Sequence, residues 1–142
     1  MKAKVLLVDD EKEFVETLAQ RLELRDLSVT TVYSGESAIA ISEKIDFDAI
    51  ILDVLMPEMT GIEVLKEIKK IKPLTPIIML TGEATVENAI QGMKLGAFDF
   101  LMKPTDTDLL VEKINQAYAL KQSHEERIRQ AEIENILKTR GW

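Results

Sequence analysis

Five short apolar runs, each followed by a stretch of helical periodicity, govern what this chain can fold into. Val5 to Val8, Val29 to Tyr33, Ala49 to Leu52, Ile77 to Leu80 and Phe98 to Leu101 show little polar alternation. That pattern marks strands buried on both faces. Between them the apolar residues fall at helical spacing: Phe14, Leu18 and Leu22; Ala38, Ile41 and Ile45; Val64, Leu65, Ile68 and Ile71. Val86, Ala89, Ile90 and Met93 are expected to face inward from a fourth helix that Gly96 stops, and Leu109, Leu110, Ile114, Ala117 and Tyr118 from a fifth. Thr60 and Glu63 have capping-box spacing, as do Asp10 and Glu13, while Thr105 and Asp108 are candidate caps of the fifth helix. Strand and helix alternating five times predict a doubly wound α/β domain with a parallel sheet and right-handed crossovers.

The 142 residues suit one such domain, and 46% hydrophobic with 30% charged residues leaves apolar material for a real core. The net charge of −7 has the wrong sign for gripping phosphate backbones, so direct nucleic-acid binding is not expected. The absence of cysteine removes disulfides, thiolate zinc sites and thiol nucleophiles. No apolar run approaches the roughly 20 residues of a membrane span, and the first ten residues turn acidic too soon for a signal peptide. The expected setting is cytoplasmic, with no membrane contact. The repeat fills residues 4 to about 121, which sets the expected division: a domain over 1–121 and a C-terminal helical extension or linker over 122–142. Ile128, Ile133, Ile136 and Leu137 give that extension a loose apolar stripe, for which pairing with a second copy is the expectation.

In an open parallel sheet, functional groups gather beyond the carboxyl ends of the strands. Here Asp9 and Asp10 end the first strand, Asp53 the third and Thr81 the fourth, and Lys103 follows the fifth. Two carboxylates 4 Å apart repel by about 4 kcal/mol at an effective dielectric near 20, so such a cluster calls for a divalent cation. Oxygen ligands alone favour Mg²⁺, Mn²⁺ or Ca²⁺ over zinc.

Val8-Asp9-Asp10, Leu52-Asp53-Val54-Leu55-Met56-Pro57, Leu80-Thr81-Gly82 and Lys103-Pro104, in this order and at these strand ends, resemble the signature of response-regulator receiver domains of two-component phosphorelay systems. The likeness covers residues 3 to 121. The run from Thr81 to Val86 and that from Met93 to Phe100 are most similar to receivers of enhancer-binding transcription activators. The resemblance implies a flavodoxin-like sheet of order 2-1-3-4-5 with five helices. It implies Asp53 as phosphoacceptor, with Mg²⁺ (or Mn²⁺) held by Asp10, Asp53 and the backbone carbonyl of Leu55, and by Asp9 through water. Thr81 and Lys103 would bind the phosphoryl group, and Phe100 would turn inward as Thr81 moves. The readout face would be the fourth helix, fifth strand and fifth helix. The implied partners are a sensor histidine kinase or phosphotransfer protein, and a second copy through that face or the C-terminal helix. Such a domain is a signalling phosphoacceptor, not an enzyme in the usual sense, although it assists its own phosphotransfer and dephosphorylation. Lys103-Pro104 is, by the same likeness, a candidate cis peptide. Leu55 and Glu83 occupy positions that bear on a dephosphorylating water.

Taken singly, each of these residues has a plainer reading: Asp10 as an N-cap, Asp53 as a turn carboxylate, Thr81-Gly82 as a turn, Phe100 as core. The lone His124 reads as a surface residue. A phosphatase of the haloacid-dehalogenase type lacks its second aspartate here, since Leu55 stands in that place. A flavin or nucleotide site would meet repulsion from Asp9, Asp10 and Glu11. The alternative carried forward is a receiver-like docking or dimerisation module that works without phosphorylation.

Overall fold

The computed structural model describes residues 2–82 and 85–139. The elements alternate throughout: β1 (Lys4–Val8), α1 (Lys12–Glu23), β2 (Ser28–Val32), α2 (Gly35–Lys44), β3 (Ala49–Leu52), α3 (Gly61–Ile71), β4 (Ile77–Thr81), α4 (Val86–Lys94), β5 (Asp99–Met102) and α5 (Thr107–Thr139). All strand pairings are parallel and the sheet runs β2-β1-β3-β4-β5, so the expected architecture is the observed one.

Because side chains alternate across a strand, each central strand feeds both layers. Val5, Leu7, Ile51, Ile78 and Leu80 pack with Leu18 and Leu22 of α1 and Leu110 and Ile114 of α5. Leu6, Val8, Ile50, Leu52, Ile77 and Met79 pack on the other side with Val64, Leu65 and Ile68 of α3. The Thr60–Glu63 capping box forms in full at the start of α3. Ser34 caps α2 and Thr85 caps α4. Gly96 ends the α4 region at φ +100°, a conformation that suits glycine.

Expectations for three of the helices are corrected. Val86, Ile90 and Met93 are exposed, and Gly92 is the buried residue of α4. The absence of a side chain there brings the helix close to Ile62, Met79 and Phe100, which leaves the apolar stripe on a face turned outward. The fifth helix is capped by Asp106, whose carboxylate accepts from the Asp108 N–H, rather than by Thr105 or Asp108. With Thr107 as first helical residue, Leu109 falls on the outer side and is 40% exposed. At the start of α1 the cap position belongs to Glu11, with no side-chain bond, so Asp10 is not a cap.

The fifth helix continues without a break through residue 121. Lys121 is 2% exposed, and its ammonium donates to the Phe47 carbonyl at 2.8 Å between Asp46 (3.1 Å) and Asp48 (3.6 Å). Among the described residues none after Lys121 is buried, and Ile128, Ile133, Ile136 and Leu137 all stand in solvent. No helix of the described residues is long and apolar enough to cross a membrane.

Candidate functional site

The strand register delivers the polar residues to one place. Val8 pairs with Leu52, and the ladder runs one step further, with the Asp53 N–H donating to the Val8 carbonyl at 3.0 Å. Asp9 and Asp53 are therefore neighbours at the carboxyl edge of β1 and β3. Thr81 pairs with Met102, and the Lys103 N–H donates to the Thr81 carbonyl at 2.8 Å. The Lys103-Pro104 peptide is cis.

Carboxylate oxygens of Asp9, Asp10 and Asp53 lie within 4.8 Å of one another. Asp9 and Asp53 are buried, whereas Asp10 is exposed. The Lys103 ammonium lies 2.6 Å from Asp9, 3.3 Å from Glu11 and 4.0 Å from Asp53. Asp9 also accepts from the Glu11 N–H at 3.0 Å. Burial holds the Asp9 carboxyl above its ordinary value, outweighing the lysine and backbone bonds that pull it down. Burial lowers the Lys103 value too, but Asp9, Asp53 and Glu11 together carry it above the usual lysine range.

Asp53 Oδ1 is buried and has no hydrogen-bond partner among the described residues. A buried carboxylate oxygen left so costs about 1–3 kcal/mol or more, and an oxygen-only donor set of three aspartates is the kind that binds a hard divalent cation. The residues present thus fit Mg²⁺. An open crevice of about 270 Å³ leads to Asp53 between Glu11, Leu55, Thr81 and Gly82.

The structure brings Asp9, Asp10, Asp53 and Lys103 together and sets Leu55 and the buried Thr81 on the crevice. Phe100 is half-buried and packs on the α3 and α4 side, beneath Gly92. Glu83 lies outside the described residues. His124, expected at the surface, is half-buried beside Leu120 and Phe98. Three contributors were not read as such from the sequence: Glu11, which shares Lys103; Phe14, whose ring the same ammonium approaches at 4.2 Å from its centroid; and Gly61. A Cβ on Gly61 would sit 2.0 Å from the Asp53 carbonyl oxygen, so α3 starts against the phosphoacceptor candidate's own backbone. The glycine eight residues after Asp53 was the available signal.

A doubly wound sheet with acidic residues, a threonine and a lysine at its carboxyl edge defines a class, and residues 5–115 match its family: the chain belongs to the response regulator receiver domains of two-component systems. The transcriptional regulatory protein ZraR of Salmonella typhimurium is 41% identical over 119 residues, 83% of this chain and 27% of ZraR. The chain thus spans about a quarter of that relative's length. Among solved structures, the Clostridium thermocellum receiver domain is 37% identical with a TM-score of 0.81, over 84% of this chain and 97% of that one. A CheY-like receiver from Methanospirillum hungatei JF-1 is 28% identical with a TM-score of 0.84, over 87% and 99%.

Proposed function

We propose that Asp53 accepts a phosphoryl group from the phosphohistidine of a sensor kinase or phosphotransfer protein, or from a small acyl phosphate, and that the modified state signals to an output. The observation that carries this reading is the buried, unpartnered Asp53 oxygen within a three-aspartate cluster beside Lys103. A carboxylate oxygen of Asp53 attacks phosphorus, and the bond from phosphorus to the donor breaks with its electron pair leaving on the donor. Such transfer needs positioning and charge neutralisation more than covalent help.

Asp10, Asp53 and the Leu55 carbonyl would hold Mg²⁺, with Asp9 acting through water and Mn²⁺ fitting the same donors; the bound ion supplies neutralisation of the phosphoryl oxygens. Lys103 contributes a second positive charge, and Thr81, at the crevice, a hydroxyl donor. Engaging Thr81 adds roughly the 1.5–3 kcal/mol of a hydrogen bond to a charged group. That bond exists only in the modified state, and Phe100, packed under α4, turns inward as Thr81 shifts. The exposed Val86, Ile90, Met93 and Met102 on α4 and β5 support a readout face of α4, β5 and α5. The protein is a phosphoacceptor switch in the cytoplasm, not a turnover enzyme, with 1–121 as the receiver and 122–142 as an extension. The exposed Ile128, Ile133, Ile136 and Leu137 support homodimer contacts along that extension. Truncation after Lys121 is expected to lower the number of chains per particle in light scattering, and an unchanged number would remove that contact.

The test of the switch is intact mass after incubation with acetyl phosphate, with and without Mg²⁺, for wild type and Asp53→Asn. A Mg²⁺-dependent gain of one phosphoryl group that vanishes in the variant is expected. No gain would favour the docking module.

A further inference from the structure

The side chain of Phe14 points at Lys103 from α1. Its ring centroid lies 4.2 Å from the lysine Nζ, inside the range of a cation–π contact. The lysine side chain is only 12% exposed, so little water competes for that face of the ammonium. The remaining directions are taken by Asp9 at 2.6 Å, Glu11 at 3.3 Å and Asp53 at 4.0 Å. The ammonium is therefore held between an acidic side, which the phosphoryl group would join, and an aromatic side, which it would not.

We propose that Phe14 is a positioning residue for phosphoryl transfer, its ring face serving as the seat on which Lys103 turns from Asp9 toward the phosphoryl group. The proposal rests on the reading of Asp53 as phosphoacceptor. Hydrogen bonds to Asp9 and Glu11 are directional and weaken as the ammonium swings. Attraction to the ring quadrupole depends mainly on distance to the ring face, so it persists through the movement. An aliphatic side chain at position 14 would keep an apolar group, somewhat smaller than the ring, against the α1 layer without attracting the charge. Aromatic character, rather than bulk, is then what the site requires of position 14.

The experiment compares wild type, Phe14→Leu and Phe14→Tyr. Initial rates of phosphorylation by acetyl phosphate with Mg²⁺ are followed by intact mass, and the Lys103 methylene resonances by NMR of the unmodified proteins. A cavity of about 110 Å³ lined by Phe14, Leu18 and Pro104 leaves room for change at the ring. The expected result is a rate lowered about three- to tenfold in Phe14→Leu and within twofold of wild type in Phe14→Tyr, the span set by a partly desolvated cation–π contact. The upfield ring-current shift of the Lys103 methylenes should be lost in Phe14→Leu and kept in Phe14→Tyr. Equal rates in wild type and Phe14→Leu, with wild type phosphorylated, would overturn the role of Phe14. A Lys103 methylene shift that is the same in all three proteins would overturn it as well, whether or not any of them is phosphorylated. If wild type takes up no phosphoryl group, the phosphoacceptor reading fails instead. Should Phe14→Leu lose its native amide spectrum, Phe14→Met serves as the aliphatic arm.

Discussion

Lys103 and Asp9, 94 residues apart in sequence, form the shortest ion pair of the site at 2.6 Å, with both side chains nearly buried. The lysine thereby stands in for part of the charge that a divalent cation would bring to Asp9, Asp10 and Asp53. Lys103→Met is expected to lower stability without metal by about 2–3 kcal/mol, less than a fully buried broken pair because Asp9 can take up a proton. The variant should also gain more stability from added Mg²⁺ than wild type does, since its carboxylates are less compensated. Urea unfolding at matched Mg²⁺ concentrations reads both effects.

The raised Asp9 value fixes the sign of a pH effect. The folded metal-free protein binds the Asp9 proton more tightly than the unfolded chain, whose value is near 3.8. The stability this proton contributes is fully present below that pH and is lost as pH rises through the higher folded value. In Asp9→Asn the term is missing. The stability difference between wild type and the variant should therefore decline with rising pH in this acidic window, as measured by denaturant titration without Mg²⁺. A difference that grows with pH would show that the ion pair outweighs burial.

At Gly61 a methyl group has nowhere to go, because its position 2.0 Å from the Asp53 carbonyl oxygen and 2.8 Å from Val54 Cα meets backbone. Gly61→Ala is expected to cost about 2–3 kcal/mol and to move Asp53 relative to Asp9. The control is Gly82→Ala, where the nearest atom is a Lys103 side-chain carbon at 3.9 Å and the cost in unfolding should stay below about 1 kcal/mol.

Lys121 ties α5 to the loop before β3 through the Phe47 carbonyl and two aspartates. Lys121→Met keeps the stem and removes the ammonium. A loss of about 2–3 kcal/mol is expected, against under about 0.5 kcal/mol for Lys138→Met in the exposed part of the same helix. Thermal or urea unfolding distinguishes the two.

The sheet and its acidic edge were legible because buried parallel strands write themselves as apolar runs, and the first, third and fourth runs stop at Asp9, Asp53 and Thr81. Asp9, Asp53, Thr81 and Lys103 could be placed at strand carboxyl ends from the pattern, and the strand order that the resemblance implies brings them together. What could not be read were contacts set by tertiary approach. The stripe of Val86, Ile90 and Met93 has the period of a core face, yet Gly92 decides which side of α4 meets the sheet. Lys121 looks like the first residue of a charged tail until the Asp46-Phe47-Asp48 loop is seen beside it. Phe14 reads as core from its spacing, and only the fold reveals that Lys103, from the far end of the chain, approaches its ring.

The central claim is that the phosphoryl group sits on Asp53 and on no other carboxylate of the cluster. Borohydride reduces an acyl phosphate to an alcohol, so phosphorylated protein treated with it and then digested carries homoserine wherever the acyl phosphate stood. Peptide mass mapping should find that residue at position 53 alone, and only when Mg²⁺ was present. Homoserine at position 9 or 10, or none in a sample whose intact mass shows the added phosphoryl group, would contradict the assignment.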